Sequence, residues 1–216
     1  MNSKPNDQKP KKRNYFIFDL ARLTAAIPFL VWLRPKCVYE SAAAKRGLRK
    51  GPALLIANHT TLADPMYLMT AVWYRRHHFV CIKEIFEKNR LSRWIFTQFR
   101  CIPIDRENFS MASLRAITDE LKAGRLVSMF PEGHINEEKP GGVAPFKSGM
   151  VLLALKSSAP IVPVFIKKPK HLYNRLVVNI GEPIDIRSLV GEKPALSAID
   201  EAAKKLHEKE ELLIKL

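Results

Sequence analysis

The sequence predicts a single α/β domain over residues 34–216, a mixed sheet flanked by helices, preceded by a membrane-associating helix over 15–33 and a flexible basic tail over 1–14. Three observations predict it. From residue 52 onward, short apolar runs alternate with amphipathic stretches, the order of an α/β chain. The 216 residues are 47% hydrophobic, which suits one substantial core and favours one domain over two. No internal repeat or Ser/Gly linker interrupts the alternation.

The elements follow in order. Residues 1–14 set Lys4, Lys9, Lys11, Lys12 and Arg13 against Asp7, a composition that does not order in isolation. Tyr15 to Leu33 is apolar except for Asp19 and Arg22, which lie three apart and share one helical face. A spanning helix needs ~20 apolar residues and two charges in hydrocarbon cost a few kcal/mol each, so the expectation is a helix lying in the membrane interface. The tail would then meet anionic headgroups at about 1 kcal/mol per basic residue. A single span or an ordinary core helix are the alternatives. Next come a strand at Ala53 to Ala57, a helix at Ala63 to Arg75, a strand at His78 to Ile82, a helix at Leu91 to Phe99 and a strand at Cys101 to Ile104. Phe109 to Ala123 reads as a helix stopped by Gly124. A strand at Leu126 to Phe130, a helix at Phe146 to Lys156, strands at Ile161 to Ile166 and Leu176 to Ile180, and an outer amphipathic helix at Ala195 to Leu216 complete the chain.

A net charge of +15 draws in polyanions, nucleic acid or acidic lipid headgroups, and does not choose between them. Aromatic RNP strands and a GXXG loop are absent, which argues against nucleic acid. Three cysteines without CxxC spacing indicate neither a disulfide framework nor zinc, and fit a reducing cytosol. The six histidines form no familiar ligand pattern, so no metal is expected; His77-His78, beside Arg75 and Arg76, read as a solvated basic turn. Trp94, Phe96 and Phe99 recur at near-helical spacing, as core or as a surface that meets acyl chains.

The informative site is Asn58-His59-Thr60-Thr61-Leu62-Ala63-Asp64-Pro65, at the end of one strand and the start of the next helix, where α/β sheets bind ligands. On a regular helix, positions five apart point about 140° away from each other, so His59 and Asp64 meet only if the chain turns between them. A carboxylate there would fix the imidazole tautomer and leave the second ring nitrogen to take a proton from a hydroxyl. A histidine capping the helix start is the plainer alternative. A second strand runs into Pro131-Glu132-Gly133-His134, whose Pro and Gly mark a sharp exit, and Lys83-Glu84 and Asp105-Arg106 end two further strands. Strand ends converging in this way build an active site.

Asn58-His59-x4-Asp64-Pro65 and Phe130-Pro131-Glu132-Gly133, in this order, resemble the glycerolipid acyltransferase family, whose members include the 1-acylglycerol-3-phosphate O-acyltransferases. Lys83-Glu84-Ile85, Ile104-Asp105-Arg106, Phe146-Lys147-Ser148-Gly149 and Ile161-Val162-Pro163-Val164 extend the resemblance over about residues 35–185. It implies that His59 is the base and Asp64 its orienting partner in acyl transfer from acyl-CoA or acyl carrier protein, with no further cofactor. It also implies that Glu132 and Gly133 help bind the acceptor, that Arg106 and Lys83 contact its phosphate, and that Pro163 shapes the donor site. A guanidinium suits phosphate because it offers a bidentate fork. Backbone N–H groups after His59 are candidates for the oxyanion. The implied acceptor is a lysophospholipid, 1-acylglycerol-3-phosphate giving phosphatidic acid, with another lysolipid or a non-catalytic lipid-binding role as alternatives. The implied place is the cytoplasmic face of a membrane, held by an anionic surface.

The chain departs from the family twice. His134-Ile135 stands where a hydroxyl residue and an arginine often follow Glu-Gly, which leaves one expected cation missing. Arg100 stands where many members have glycine, either narrowing the pocket or replacing that charge. A hydrolase using a covalent serine is disfavoured by the lack of a GxSxG elbow.

Overall fold

A computed structural model describes residues 15–105, 110–136, 142–169, 171, 174–191 and 194–216; the basic tail, Arg106 and Phe109 lie outside these. The described elements are α1 (Phe16–Leu33), β1 (Lys36–Tyr39), α2 (Ala42–Gly47), β2 (Ala53–Ala57), α3 (Asp64–Ala71), β3 (His77–Ile82), α4 (Lys83–Phe86), α5 (Arg90–Gln98) and β4 (Ile102–Ile104). They continue with α6 (Met111–Lys122), β5 (Leu126–Met129), α7 (Gly149–Ser157), β6 (Ile161–Lys167), β7 (Val177–Ile180), α8 (Arg187–Val190) and α9 (Leu196–Leu213). The expected elements are present within a few residues. The sequence reading did not contain β1, α2, α4 or α8.

Seven strands form one sheet in the order β1-β7-β6-β2-β5-β3-β4. All neighbours are parallel except β6 and β7, so the sheet is mixed, as expected. β2 lies in its middle, and every residue of Ala53–Ala57 is buried. A strand covered on both faces has no reason to alternate apolar with polar, which is why it reads as a continuous apolar run.

Helices cover both faces. Leu54 and Ile56 join Leu114, Ile117 and Leu121 of α6, Val151 and Leu153 of α7 and Leu206 of α9. Ala53, Leu55 and Ala57 point the other way, into a cluster with Leu33 of α1 and Leu68 and Ala71 of α3. Side chains alternate across a strand, so one strand feeds both cores.

Each of the two outer helices turns one face to the protein, as an amphipathic helix does. α9 is an integral wall, burying Ile199, Ala202, Ala203, Leu206, Glu210 and Leu213. The polar stripe of α1 faces protein: Asp19 takes a bidentate bond from Arg76 at 2.6 and 2.9 Å, and Arg22 donates to the carbonyl of Trp73 at 3.1 Å. Phe16, Leu20, Leu23, Ile27 and Val31 are left exposed on the other side. By length and composition α1 is apolar enough to cross a membrane.

The registers set the site. Ile56 pairs with Met129, Phe79 with Ser128, and Ile82 with Ile104, so the carboxyl ends of β2, β5, β3 and β4 lie side by side.

Candidate active site

His59 leaves β2 two residues past its end, and Pro65 helps start α3 by supplying a pre-set φ in the first turn. Between them the chain turns back on Asp64. Its Oδ2 lies 2.9 Å from Nδ1 of His59 and accepts the N–H groups of Thr60 and Thr61 at 2.7 and 2.8 Å, while Oδ1 accepts the Thr61 hydroxyl at 3.0 Å. Asp64 is fully buried, and its charge is met by this ring of donors. With Nδ1 held, Nε2 of His59 is the nitrogen without a partner among the described residues.

The loop after β5 grips His59 from the opposite side. Oε1 of Glu132 accepts the backbone N–H of His59 at 3.1 Å, and the N–H of Asn136 bonds its carbonyl at 2.7 Å. The imidazole stacks on Phe130 with ring centroids 4.2 Å apart. Asn58 locks the strand end by exchanging two bonds with the backbone of Ile166, at 2.7 and 3.2 Å. Burial pushes the Glu132 carboxyl up to about 7 against the pull of the His59 and Ala144 N–H groups. Burial, with the charge of Glu132, also holds the fully enclosed carboxyl of Glu210 well above the usual carboxylate range.

Two cavities meet here. One, of about 540 Å³, is walled by His59, Phe79, Ile95, Phe96, Phe99 and Ile135, together with Cys81, Cys101 and Phe18. The other, of about 810 Å³, is rimmed by Asp105, Lys147, Ser148, Lys204 and His207. Ile82, Ile104, Met129, Phe130 and Gly133 line both.

Against the sequence expectations, His59, Asp64 and Gly133 come together at the junction, while others fall elsewhere. Glu132 is buried beside His59, gives Oε1 to the His59 N–H and lines neither cavity. The N–H groups of Thr60 and Thr61 are already given to Asp64, so they are not free for an oxyanion. Lys83 is exposed at the start of α4, one residue beyond cavity-lining Ile82. Pro163 lies inside β6 opposite Ile56 and lines neither cavity.

Arg100 takes a left-handed conformation with φ of 55°, which explains the suitability of glycine at that place. Its guanidinium lies over the Tyr15 ring, 5.5 Å from the centroid, and Arg100 lines neither cavity. His77 and His78 are buried in β3, not a solvated turn. The His77 ring meets Ser128 Oγ at 2.8 Å, and burial holds it down to about 3, neutral. Trp94 is exposed whereas Phe96 and Phe99 are partly buried and line the apolar cavity, so none of the three is a core residue. No cluster of metal-ligating side chains occurs among the described residues.

A buried carboxylate orienting a largely buried imidazole, at the carboxyl edge of a mixed sheet and beside an apolar cavity, is an arrangement that can take a proton from a hydroxyl. The chain belongs to the acyltransferase family, since the family model described as Acyltransferase matches residues 37–167. The 1-acyl-sn-glycerol-3-phosphate acyltransferase of Streptococcus pneumoniae is 33% identical over 144 residues, 63% of this chain and 51% of that one. Its namesake from Bacillus subtilis is 27% identical over 156 residues, 69% of this chain and 76% of that one. This chain thus spans about half the length of the first relative and about three quarters of the second. The fold is that of the 1-acyl-sn-glycerophosphate acyltransferase PlsC from Thermotoga maritima, with a TM-score of 0.66 at 19% identity, over 97% of this chain and 84% of that one.

Proposed function

We propose that this chain moves a fatty acyl group from a thioester, acyl-CoA or acyl carrier protein, to the hydroxyl of a lysophospholipid, 1-acylglycerol-3-phosphate giving phosphatidic acid. The observation that carries the reading is His59, tied to Asp64 at 2.9 Å, lining an apolar cavity of about 540 Å³ that is large enough for a lipid chain. The names of both relatives point to the same acceptor.

Nε2 of His59 takes the proton of the acceptor hydroxyl as its oxygen bonds to the thioester carbonyl. Asp64 stabilises the resulting imidazolium, and its four bonds hold the ring in place through the step. The tetrahedral oxyanion collapses, the C–S bond breaks, and the leaving thiolate takes the proton back from the imidazolium. A thioester is already activated, so base, alignment and oxyanion stabilisation supply the catalysis without a further cofactor. The acyl chain occupies the apolar cavity, and polar headgroups occupy the wider one that meets it at Phe130 and Gly133. The exposed stripe of α1 rests on an anionic membrane at the cytoplasmic face, where single-chain acceptors reside.

Purified protein is incubated with labelled acyl-CoA or acyl carrier protein and a panel of lysolipids. Transfer to 1-acylglycerol-3-phosphate, lowered ~10²-fold or more by His59→Ala, is the expected result. Transfer to no lysolipid would reject the reading in favour of a non-catalytic lipid binder, and transfer to a different one would reassign the acceptor.

A further inference from the structure

The wider cavity holds charged side chains that the mechanism above leaves unused. Asp200, Lys204 and Glu208 of α9 recur at four-residue spacing along its wall, which sets two acidic residues and one basic residue there. Asp105 closes the end of β4. The His207 ring is held by the Val143 carbonyl at 3.1 Å and packs edge-on to Phe146. Lys147 faces the same space from the opposite side and has no ion-pair partner among the described residues.

The position of Lys147 is built. Its backbone N–H bonds the Pro131 carbonyl at 3.1 Å, which ties it to the turn that carries Glu132. Its side chain lies across the bare α-carbon of Gly133: a Cβ there would fall 3.1 Å from Cε and 3.3 Å from Nζ. Gly133 lines both cavities, so the ammonium rests at their junction, next to the Phe130 ring that carries His59. His134 and Ile135, the two residues after Gly133, bring no fixed cation. His134 is tied through Nδ1 to the Glu132 carbonyl at 3.0 Å, and Ile135 turns into the apolar cavity.

We propose that Lys147, laid over Gly133 where the two cavities meet, takes the phosphate of a substrate and supplies the cation missing from the Gly133-His134-Ile135 corner. This rests on the reading of His59 as the centre of acyl transfer. A lysine holds a phosphate as a compact point charge and suits a monoester that reaches the junction end-on. The same charge would serve the acceptor's phosphomonoester or a phosphate of the donor thioester.

The test compares wild type, Lys147→Met and Lys147→Arg. Calorimetric binding of hexadecyl phosphate should weaken by about tenfold or more in Lys147→Met and largely recover in Lys147→Arg, while binding of hexadecanol stays unchanged in all three. Equal phosphate affinity in wild type and Lys147→Met would overturn the proposal, and parallel loss of hexadecanol would show a merely structural role and overturn it too. This holds whether or not transfer is observed: selective loss of phosphate binding in a chain that transfers nothing leaves Lys147 as a phosphate ligand and rejects the acyltransfer reading alone. Where transfer is observed, a rise in KM for 1-acylglycerol-3-phosphate assigns the acceptor's phosphate, and a rise for acyl-CoA but not for acyl-pantetheine assigns the donor's. No rise in any of these would overturn the proposal.

Discussion

The carboxyl of Glu132 accepts the backbone N–H of His59 at 3.1 Å, so a residue of the β5 exit loop fixes the peptide of His59 just beyond the neighbouring strand β2. Asn136 fastens the carbonyl of the same residue. Glu132→Ala leaves the buried N–H of His59 unpaired, at an expected cost of about 1–3 kcal/mol of stability together with a loss of kcat. Glu132→Gln keeps an acceptor oxygen and should retain both. Thermal denaturation and turnover of the two variants distinguish the role; equal damage by both would reject it.

The protonation of Glu132 sets a pH dependence of stability. Its folded-state pKa is raised to about 7 from 4.5, so between those values the folded chain binds more protons than the unfolded one. Its contribution to stability is therefore complete below 4.5 and is lost as pH rises through about 7. Glu210 is raised as well and acts in the same direction. Melting temperatures measured across this window should fall with rising pH less steeply in Glu132→Gln than in wild type; parallel curves would contradict the assignment.

Asp64→Asn tests the orienting role. The amide keeps one acceptor oxygen yet cannot accept all four bonds as a carboxylate, and it no longer stabilises an imidazolium. The expected loss in kcat is ~10²-fold or more, with KM for both substrates nearly unchanged. An effect confined to KM would place Asp64 in binding instead.

What was legible in the sequence and what was not divide along local and distant interactions. Ala53 to Ala57 is unmistakable as a strand because burial on both faces demands apolar residues throughout. The His59–Asp64 pair is legible because both partners lie within one turn of chain. β1 is an edge strand of four residues, too short to carry a period, and it forms by pairing with β7 across the chain. His77 and His78 looked solvent-facing because their partners, Ser128 and the Leu126 carbonyl, arrive from β5. Buried Glu132 and the contact of Lys147 with Gly133 have the same origin: tertiary packing decides them, and no local pattern announces either.

The apolar cavity should set acyl-chain preference. Cys81 lies on its wall, with Phe99 and Phe18 in ring contact, centroids 5.5 Å apart, lining it too. Cys81→Leu adds volume where a long chain would pass. The ratio of kcat/KM for palmitoyl over decanoyl donors should drop by about tenfold, within the range that one or two methylenes of misfit produce in an apolar pocket. An unchanged ratio would place the chain elsewhere.

Membrane docking can be tested without removing α1, whose Phe18 and Leu33 are core residues that a truncation would strip out. Leu23 and Val31 are 54% and 71% exposed, and neither supplies a hydrogen bond of the Asp19–Arg76 pair that seats the helix. Burying a Leu or Val side chain in the interface contributes about 1.5–3 kcal/mol, so Leu23→Glu combined with Val31→Glu should remove several kcal/mol of membrane affinity and add repulsion from anionic headgroups. Sedimentation with phosphatidylglycerol vesicles should then leave the double variant in the supernatant, with an unchanged melting temperature and with transfer retained toward acceptor dispersed in detergent. Co-sedimentation equal to wild type would show that α1 does not hold the chain on the membrane.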